Sequence, residues 1–279
     1  MREVKLMPKY LVFMDIDGTL LTDHQYVTEH TKATIERLQK QDVMFYIATG
    51  RMYELDKIVR NKINADVHLV TSNGAVFDGA EGREITKLGG AAVELAYLIA
   101  RRDNLPMMLF TPEMAYYTEQ IPRFVARNAA NFDADETSIG YAEVESFTQL
   151  AKIEDQITNG VILSREDMSR LDSAREKLTN SKLLRLSSSN PNNIEMIPLN
   201  TDKGTAVKQI QREQQVDAAH TFVFGDGLND VGMMAEAKYS VAMGNALPQV
   251  KSIANYVTET NYNDGLAKFL DRYFEKHPL

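Results

Sequence analysis

The sequence predicts an α/β protein, a parallel sheet covered by helices and interrupted by a separate α+β segment. Three observations lead there. Apolar strand-like runs alternate with helical patterns toward both ends of the chain. From about residue 85 to 195 that alternation gives way to short extended runs suited to antiparallel hairpins. In the outer segments the apolar runs end in polar, glycine-containing turns, and the carboxyl ends of parallel strands are where such sheets bind ligands.

The first run, Leu11-Val12-Phe13-Met14, reads as a short, fully buried strand closed by a turn at Gly18. An amphipathic helix is expected over 28–41, where Ile35 and Leu38 stand at helical spacing. Val43-Met44-Phe45-Tyr46-Ile47-Ala48 forms a second strand, 53–61 a second helix and Val67-His68-Leu69-Val70 a third strand. In the middle, extended runs at Met107-Met108-Leu109-Phe110, Ala115-Tyr116-Tyr117-Thr118, Val161-Ile162-Leu163 and 182–186 alternate with helical stretches near 91–102, 121–131 and 165–178. The outer pattern then resumes with a helix over 203–213, the strand Thr221-Phe222-Val223-Phe224, a helix near 230–237 and the short strand Tyr239-Ser240-Val241-Ala242. The expected division is a discontinuous domain, 1–84 and 197–279, around an inserted α+β domain, 85–196. No internal repeat or low-complexity tract interrupts it.

Composition narrows the function classes. At 279 residues, 44% hydrophobic and 25% charged, the chain supports one large or two moderate cores. No apolar stretch approaches the length of a membrane span, and Met1-Arg2-Glu3-Val4-Lys5-Leu6-Met7-Pro8 lacks the apolar core of a secretory leader. The absence of cysteine excludes disulfides, thiolate zinc sites and cysteine nucleophiles, and it fits a cytoplasmic setting. A net charge of −8 and a pI near 5.3, with no basic stripe, argue against nucleic acid as a partner. A small anionic substrate stays open, because a few local cations outweigh the average field within about 10 Å. Neither charge nor motif sets the oligomeric state.

The polar turns carry the chemistry. Asp15 and Asp17 are two apart at the end of the first strand, so on an extended backbone they leave it on the same side and need a cation, a shared proton or both. Thr49-Gly50-Arg51 follows the second strand, Lys203-Gly204 opens a helix, and Gly225-Asp226-Gly227-Leu228-Asn229-Asp230 follows the strand at 221–224. Were these strands neighbours, carboxylates, a hydroxyl, free N–H groups and an ammonium would meet along one edge. Converging acids with no thiolate or paired histidines suit a hard divalent cation such as Mg²⁺. Beside a lysine and a helix N-terminus, such a cation would make a cradle for a phosphoryl group. One acid free to attack phosphorus would form an aspartyl-phosphate, with a second protonating the leaving oxygen.

In this order Asp15-x-Asp17-Gly18-Thr19, Thr49-Gly50-Arg51, Lys203 and Gly225-Asp226-x-x-Asn229-Asp230 resemble the haloacid dehalogenase (HAD) superfamily of phosphohydrolases. The chain looks most like its Cof-type subclass, in which a large α/β cap (C2-type) is inserted between the second and third motifs. Thr71-Ser72-Asn73-Gly74-Ala75, Ile194-Glu195-Met196-Ile197-Pro198 and Val241-Ala242-Met243-Gly244-Asn245-Ala246 add to the likeness, which spans about residues 9–265. The resemblance implies a Rossmann-like, three-layer core with an inserted cap. It implies Asp15 as nucleophile and magnesium ligand, and Asp17 as general acid/base with its carbonyl on the metal. Thr49, Gly50 and Lys203 would hold phosphoryl oxygens, Asp226 would bind Mg²⁺, Asp230 would bind it directly or through water, and Asn229 would contact phosphate or orient its neighbours. The activity so implied is a Mg²⁺-dependent phosphatase for small phosphorylated metabolites, sugar phosphates among them. A phosphomutase and a non-catalytic phospho-aspartate receiver are the alternatives; a receiver needs no lid, and an ion-pumping ATPase needs membrane spans.

Other residues have two readings. Arg51 serves phosphate or pairs with a nearby acid, and Asn73-Gly74 marks a turn near the substrate. His24 reads as a solvated loop residue, Tyr116 and Tyr117 as one core and one surface position of a strand, and Glu195 as a surface acid in a strand.

Overall fold

Leu11, Val12, Phe13 and Met14 have no exposed surface. A strand buries consecutive residues on both faces only when helices cover both. The computed structural model describes residues 7–22, 25–119, 139–164, 167–188 and 191–279, and begins with β1 (Tyr10–Met14), α1 (Glu29–Gln39), β2 (Val43–Ala48), α2 (Tyr53–Asn61), β3 (His68–Thr71) and the hairpin β4 (Val76–Gly79) and β5 (Gly82–Ile85). The middle segment holds α3 (Gly90–Asp103), β6 (Met107–Phe110), β7 (Met114–Tyr117), β8 (Gly140–Glu143), α4 (Phe147–Leu150), β9 (Asn159–Leu163), α5 (Met168–Ser181), β10 (Leu184–Ser187) and β11 (Asn193–Pro198). The last segment comprises α6 (Lys203–Gln214), β12 (Thr221–Gly225), α7 (Val231–Met234), β13 (Tyr239–Ala242), α8 (Pro248–Ile253), β14 (Tyr256–Val257) and α9 (Gly265–Lys276). His24 and the helix expected at 121–131 lie outside the described residues.

The outer segments form an eight-stranded sheet in the order β14-β13-β12-β1-β2-β3-β4-β5, parallel from β14 to β3. The protein is thus α/β with a parallel-sheet core. The register sets Phe13 beside Val223 on one side and Tyr46 on the other, and the Phe13 and Tyr46 rings stack 4.9 Å apart. Ile35 and Leu38 of α1, Val207 and Ile210 of α6, and Leu266, Leu270 and Phe274 of α9 pack into the same core. The antiparallel hairpin β4–β5 and the two-residue β14 extend this sheet beyond the sequence reading. Gly82–Ile85 is exposed throughout, so it has no buried face to produce an apolar alternation.

The middle segment forms a six-stranded sheet in the order β10-β11-β9-β6-β7-β8, antiparallel except for the β7–β8 pair. Successive residues alternate between two apolar environments, as a pleated strand requires. Met107, Leu109, Ile162 and Met196 join a core with Val93 and Ala96 of α3 and Leu171 and Leu178 of α5. Met108, Phe110, Ala115, Tyr117 and Val161 face the other way, onto Met52 and Leu55 at the start of α2. The sheet therefore lies over the carboxyl end of β2, where Thr49-Gly50-Arg51 stands. Tyr116 and Tyr117 divide between these two faces, both partly buried, so neither is the plain surface residue the sequence suggested.

Polar links join the two lobes as well. Glu54 N–H donates to Pro112 C=O at 3.3 Å, Arg83 pairs with Glu113 at 2.7 Å, and Arg185 pairs with Asp202 at 2.6 Å. Asp202 caps α6 by accepting Thr205 N–H, and the Thr205 hydroxyl closes the box on Asp202 N–H, so α6 starts at Lys203. Gly74 has φ +94°, and a Cβ there would run into the Asp202 backbone carbonyl. The turn after β3 is thereby pressed against the start of α6.

Candidate active site

Backbone pairing continues one residue past β1, where Asp15 N–H donates to Phe224 C=O at 3.0 Å. That bond fixes where the Asp15 carboxylate leaves the sheet, beside the loop that follows β12. Lys203 reaches in from the first position of α6 with its ammonium wholly buried, donating to Asp15 Oδ1 at 2.6 Å and to Asp230 Oδ1 at 2.8 Å. Asp230 Oδ2 accepts the N–H groups of Asp226 (2.9 Å) and Gly227 (3.0 Å), so this side chain shapes the loop that presents Asp226. Thr19 Oγ1 donates to Asp226 Oδ1 at 3.1 Å, and Asn245 Nδ2 donates to Gly18 C=O at 2.7 Å. Gly18 takes φ +81°, and any Cβ there would strike the Asp226 carboxylate.

One carboxylate oxygen from each of Asp15, Asp226 and Asp230 lies within 4.8 Å of the others. The second oxygens of Asp15 and Asp226 accept no hydrogen bond among the described residues. Three carboxylates around one ammonium leave the cluster short of positive charge. Burial pushes Asp15 up to about 8 against the pull of the Lys203 ammonium, with Asp230 and Asp226 adding to the rise. Asp226 stands at about 6, raised by burial and by the Asp230 charge. Lys203 lies above the ordinary lysine value, because Asp15 and Asp230 together outweigh the burial that would neutralise it. An all-oxygen donor set with this charge deficit fits a hard divalent cation. Asp15 and Asp226 are placed to hold it directly; both Asp230 oxygens already accept hydrogen bonds, which suits a water-bridged position.

The remaining expected residues are placed differently. Asp17 is not one of the three clustered acids: 57% of its side chain is exposed, and it takes a forked pair from Arg51, Nη2 to Oδ1 at 2.6 Å and Nε to Oδ2 at 3.1 Å. Of the two readings of Arg51, pairing with an acid is the one seen. Thr49 is buried with Oγ1 accepting Arg51 N–H at 3.2 Å, and Gly50 lies against the Asn73 amide, which a Cβ at 50 would approach to 3.1 Å. Asn229 is half-buried in the single turn between β12 and α7.

Three residues gain contacts the sequence reading lacked. Asn73 is buried at φ +53° and donates Nδ2 to Glu195 Oε2 at 3.0 Å, so Glu195 is a half-buried tie between lobes rather than a surface acid. Asn245 braces the Gly18 turn. Asp56, in α2, is fully buried. Its signal in the sequence is an acid within the buried stripe Met52, Asp56, Val59, Ile63, at helical spacing.

A family model described as haloacid dehalogenase-like hydrolase matches residues 12–270 of this chain. The chain belongs to the haloacid dehalogenase-like hydrolases. This HAD hydrolase is 30% identical over 274 residues to the 5-amino-6-(5-phospho-D-ribitylamino)uracil phosphatase YitU of Bacillus subtilis, covering 95% of this chain and 97% of the relative. It is 27% identical over 258 residues to YcsE, a phosphatase of the same name from the same organism, covering 92% and 93%. Its fold matches a haloacid dehalogenase-like hydrolase from Bacteroides thetaiotaomicron with a TM-score of 0.82, at 23% identity and 95% and 99% coverage. At family level the activity of this HAD hydrolase is that of a phosphatase, a phosphoric monoester hydrolase acting on phosphorylated small molecules. Among the described residues, no helix is long and apolar enough to cross a membrane.

Proposed function

We propose that the protein is a Mg²⁺-dependent phosphatase for small phosphorylated metabolites, sugar phosphates and phosphorylated polyols among them, working through an aspartyl-phosphate on Asp15. The observation that carries this reading is the buried Lys203 ammonium held between Asp15 and Asp230, with Asp226 beside them. Lys203 orients the Asp15 carboxylate, the attacking group, by bonding Oδ1. Mg²⁺ bound by Asp15, Asp226, the Asp17 carbonyl and, directly or through water, Asp230 would supply the charge that lets a phosphoryl dianion approach three acids.

In the first step a carboxylate oxygen of Asp15 bonds to phosphorus as the ester O–P bond breaks, and the Asp17 carboxylic acid gives its proton to the departing oxygen. In the second, Asp17 takes a proton from water as that water attacks phosphorus, which restores Asp15 and releases inorganic phosphate. Thr49, Gly50 and Asn229 stand at the neighbouring strand ends and would hold phosphoryl oxygens by hydroxyl, N–H and amide. The segment 85–196 acts as a cap on a core of 1–84 and 197–279, excluding water during the first step and admitting it for the second. The apolar contact of Met52 and Leu55 with the cap sheet supports that role. Relatives named for a phosphorylated ribityl compound favour polyol and sugar phosphates over larger substrates.

The test is release of inorganic phosphate from an aryl phosphate and a panel of sugar and polyol phosphates, with and without Mg²⁺. Turnover with Mg²⁺ that is abolished by chelation and by Asp15→Asn is expected. Phosphate release by Asp15→Asn at the unsubstituted rate would refute the nucleophile.

A further inference from the structure

Ser72 and Asn73 both take φ +53° and Gly74 follows at φ +94°, so the turn after β3 runs through left-handed backbone at two non-glycine residues in succession. Such a conformation persists only where the surroundings hold it. Two N–H groups of the turn grip the loop after β2. Asn73 N–H donates to Thr49 C=O at 2.9 Å, and Ser72 N–H donates to Arg51 C=O at 2.7 Å. The Asn73 side-chain amide also lies against Gly50, where a Cβ would stand 3.1 Å from its nitrogen and 3.2 Å from its oxygen.

Thr49 C=O and Gly50 N–H belong to one planar peptide unit and point in opposite directions. The bond from Asn73 N–H to that carbonyl therefore sets the direction of Gly50 N–H, which donates no hydrogen bond among the described residues. A braced peptide with a free N–H is what a phosphoryl oxygen requires of its donor. Asn73 is in turn tied to the second sheet. It is 3% exposed, Nδ2 donates to Glu195 Oε2 at 3.0 Å, and Oδ1 is buried without a partner. Glu195 stands in β11 opposite Val161, and so on the face of that sheet turned toward Met52. A chain of hydrogen bonds thus runs from Glu195 through Asn73 to the Thr49–Gly50 peptide.

We propose that Glu195 and Asn73 are positioning residues for Gly50 N–H: through the Glu195 carboxylate, the second sheet holds the Asn73 turn in the shape that aims this donor at a phosphoryl oxygen. The inference rests on the phosphoryl role given to Gly50 above. It assigns neither Glu195 nor Asn73 a contact with substrate.

Inorganic phosphate reads this role directly, because it has no leaving group for the second sheet to receive. The experiment measures its inhibition constant against p-nitrophenyl phosphate, with Mg²⁺ present, in the unsubstituted enzyme, Glu195→Gln, Glu195→Ala, Asn73→Gly and the double variant Asn73→Gly/Glu195→Ala. Glycine keeps the positive φ at position 73, and glutamine keeps an oxygen that accepts from Asn73 Nδ2. The constant should rise about tenfold in Glu195→Ala and in Asn73→Gly, as for a misplaced donor to a charged group. It should stay within about twofold of the unsubstituted value in Glu195→Gln. The double variant should bind phosphate no more weakly than the weaker single one, since both act through one bond. Hydrogen exchange supplies a readout independent of turnover: the Ser72 and Asn73 amides should exchange about tenfold faster in Glu195→Ala. An unchanged inhibition constant in Glu195→Ala and Asn73→Gly would overturn the proposal, even with a lower melting temperature, because a tie that only joins the lobes would give that result. Additive rises in the double variant, or unchanged exchange at both amides, would overturn it as well. Should the unsubstituted protein neither hydrolyse the aryl ester nor bind phosphate, the phosphatase reading itself falls and takes this one with it, an outcome distinct from normal phosphate binding that the variants leave unmoved.

Discussion

Lys203 spans 188 residues of sequence to reach Asp15 and has no exposed surface once there. Both anions on its ammonium are buried, so removing the cation strands them. Lys203→Met should cost about 3–5 kcal/mol, the range for breaking a buried ion pair from one side, read as a lower midpoint in urea unfolding. Asp15→Asn removes charge from the same crowd, so its melting temperature should hold or rise while turnover falls on the order of 10³-fold or more. The acids also set a pH dependence. Asp15 at about 8 and Asp226 at about 6 stand above the 3.8 of an unburied aspartate, so between those values the folded protein binds more protons than the unfolded chain. Acidification from about pH 8 toward pH 4 therefore stabilises the cation-free protein, and alkalisation weakens it. A cation competing with those protons should raise the melting temperature more at pH 8 than at pH 5. Equal Mg²⁺ shifts at both pH values in a thermal melt would contradict this.

At the scale of elements, each site group is set by where a strand or helix stops. The bond from Asp15 N–H to Phe224 C=O carries the ladder one residue past β1, after which Gly18 turns the chain at a positive φ. Gly18→Ala meets both strain and the Asp226 carboxylate. It should lower stability by about 1–3 kcal/mol and weaken Mg²⁺ binding, measured by melting and by metal titration. The capping box of Asp202 and Thr205 starts α6 where Lys203 points inward. Asp202→Ala should cost about 1 kcal/mol from the cap alone and also remove the tie to Arg185.

Over the whole molecule, two sheets with separate cores share, among the described residues, a small apolar cluster around Met52. Because that cluster is small, a single side chain is a sizeable share of it. Met52→Ala should remove about 1.5–3 kcal/mol of burial that favours the closed lobes. The closed-to-open ratio should fall by about tenfold or more, with kcat/KM falling and small-angle scattering showing a larger radius of gyration. An unchanged radius and unchanged kcat/KM would mean that the contact does not hold the lobes together.

The α/β class, the change to a second sheet in the middle of the chain and the polar turns that supply the candidate site were all written in local sequence. Runs such as Leu11–Met14 and Phe222–Phe224 are apolar because both faces of those strands are covered, and the polar turns after them stand out against that background. β5 and β14 left no such trace, since neither has a buried face to pattern. Which groups touch is another matter. The grip of Arg51 on Asp17, the tie from Asn73 to Glu195 and the unbonded burial of Asp56 depend on which strand lies beside which and on where the second sheet settles. Local pattern reports how a residue meets its own strand or helix, whereas contacts across long stretches of chain arise only when whole elements pack.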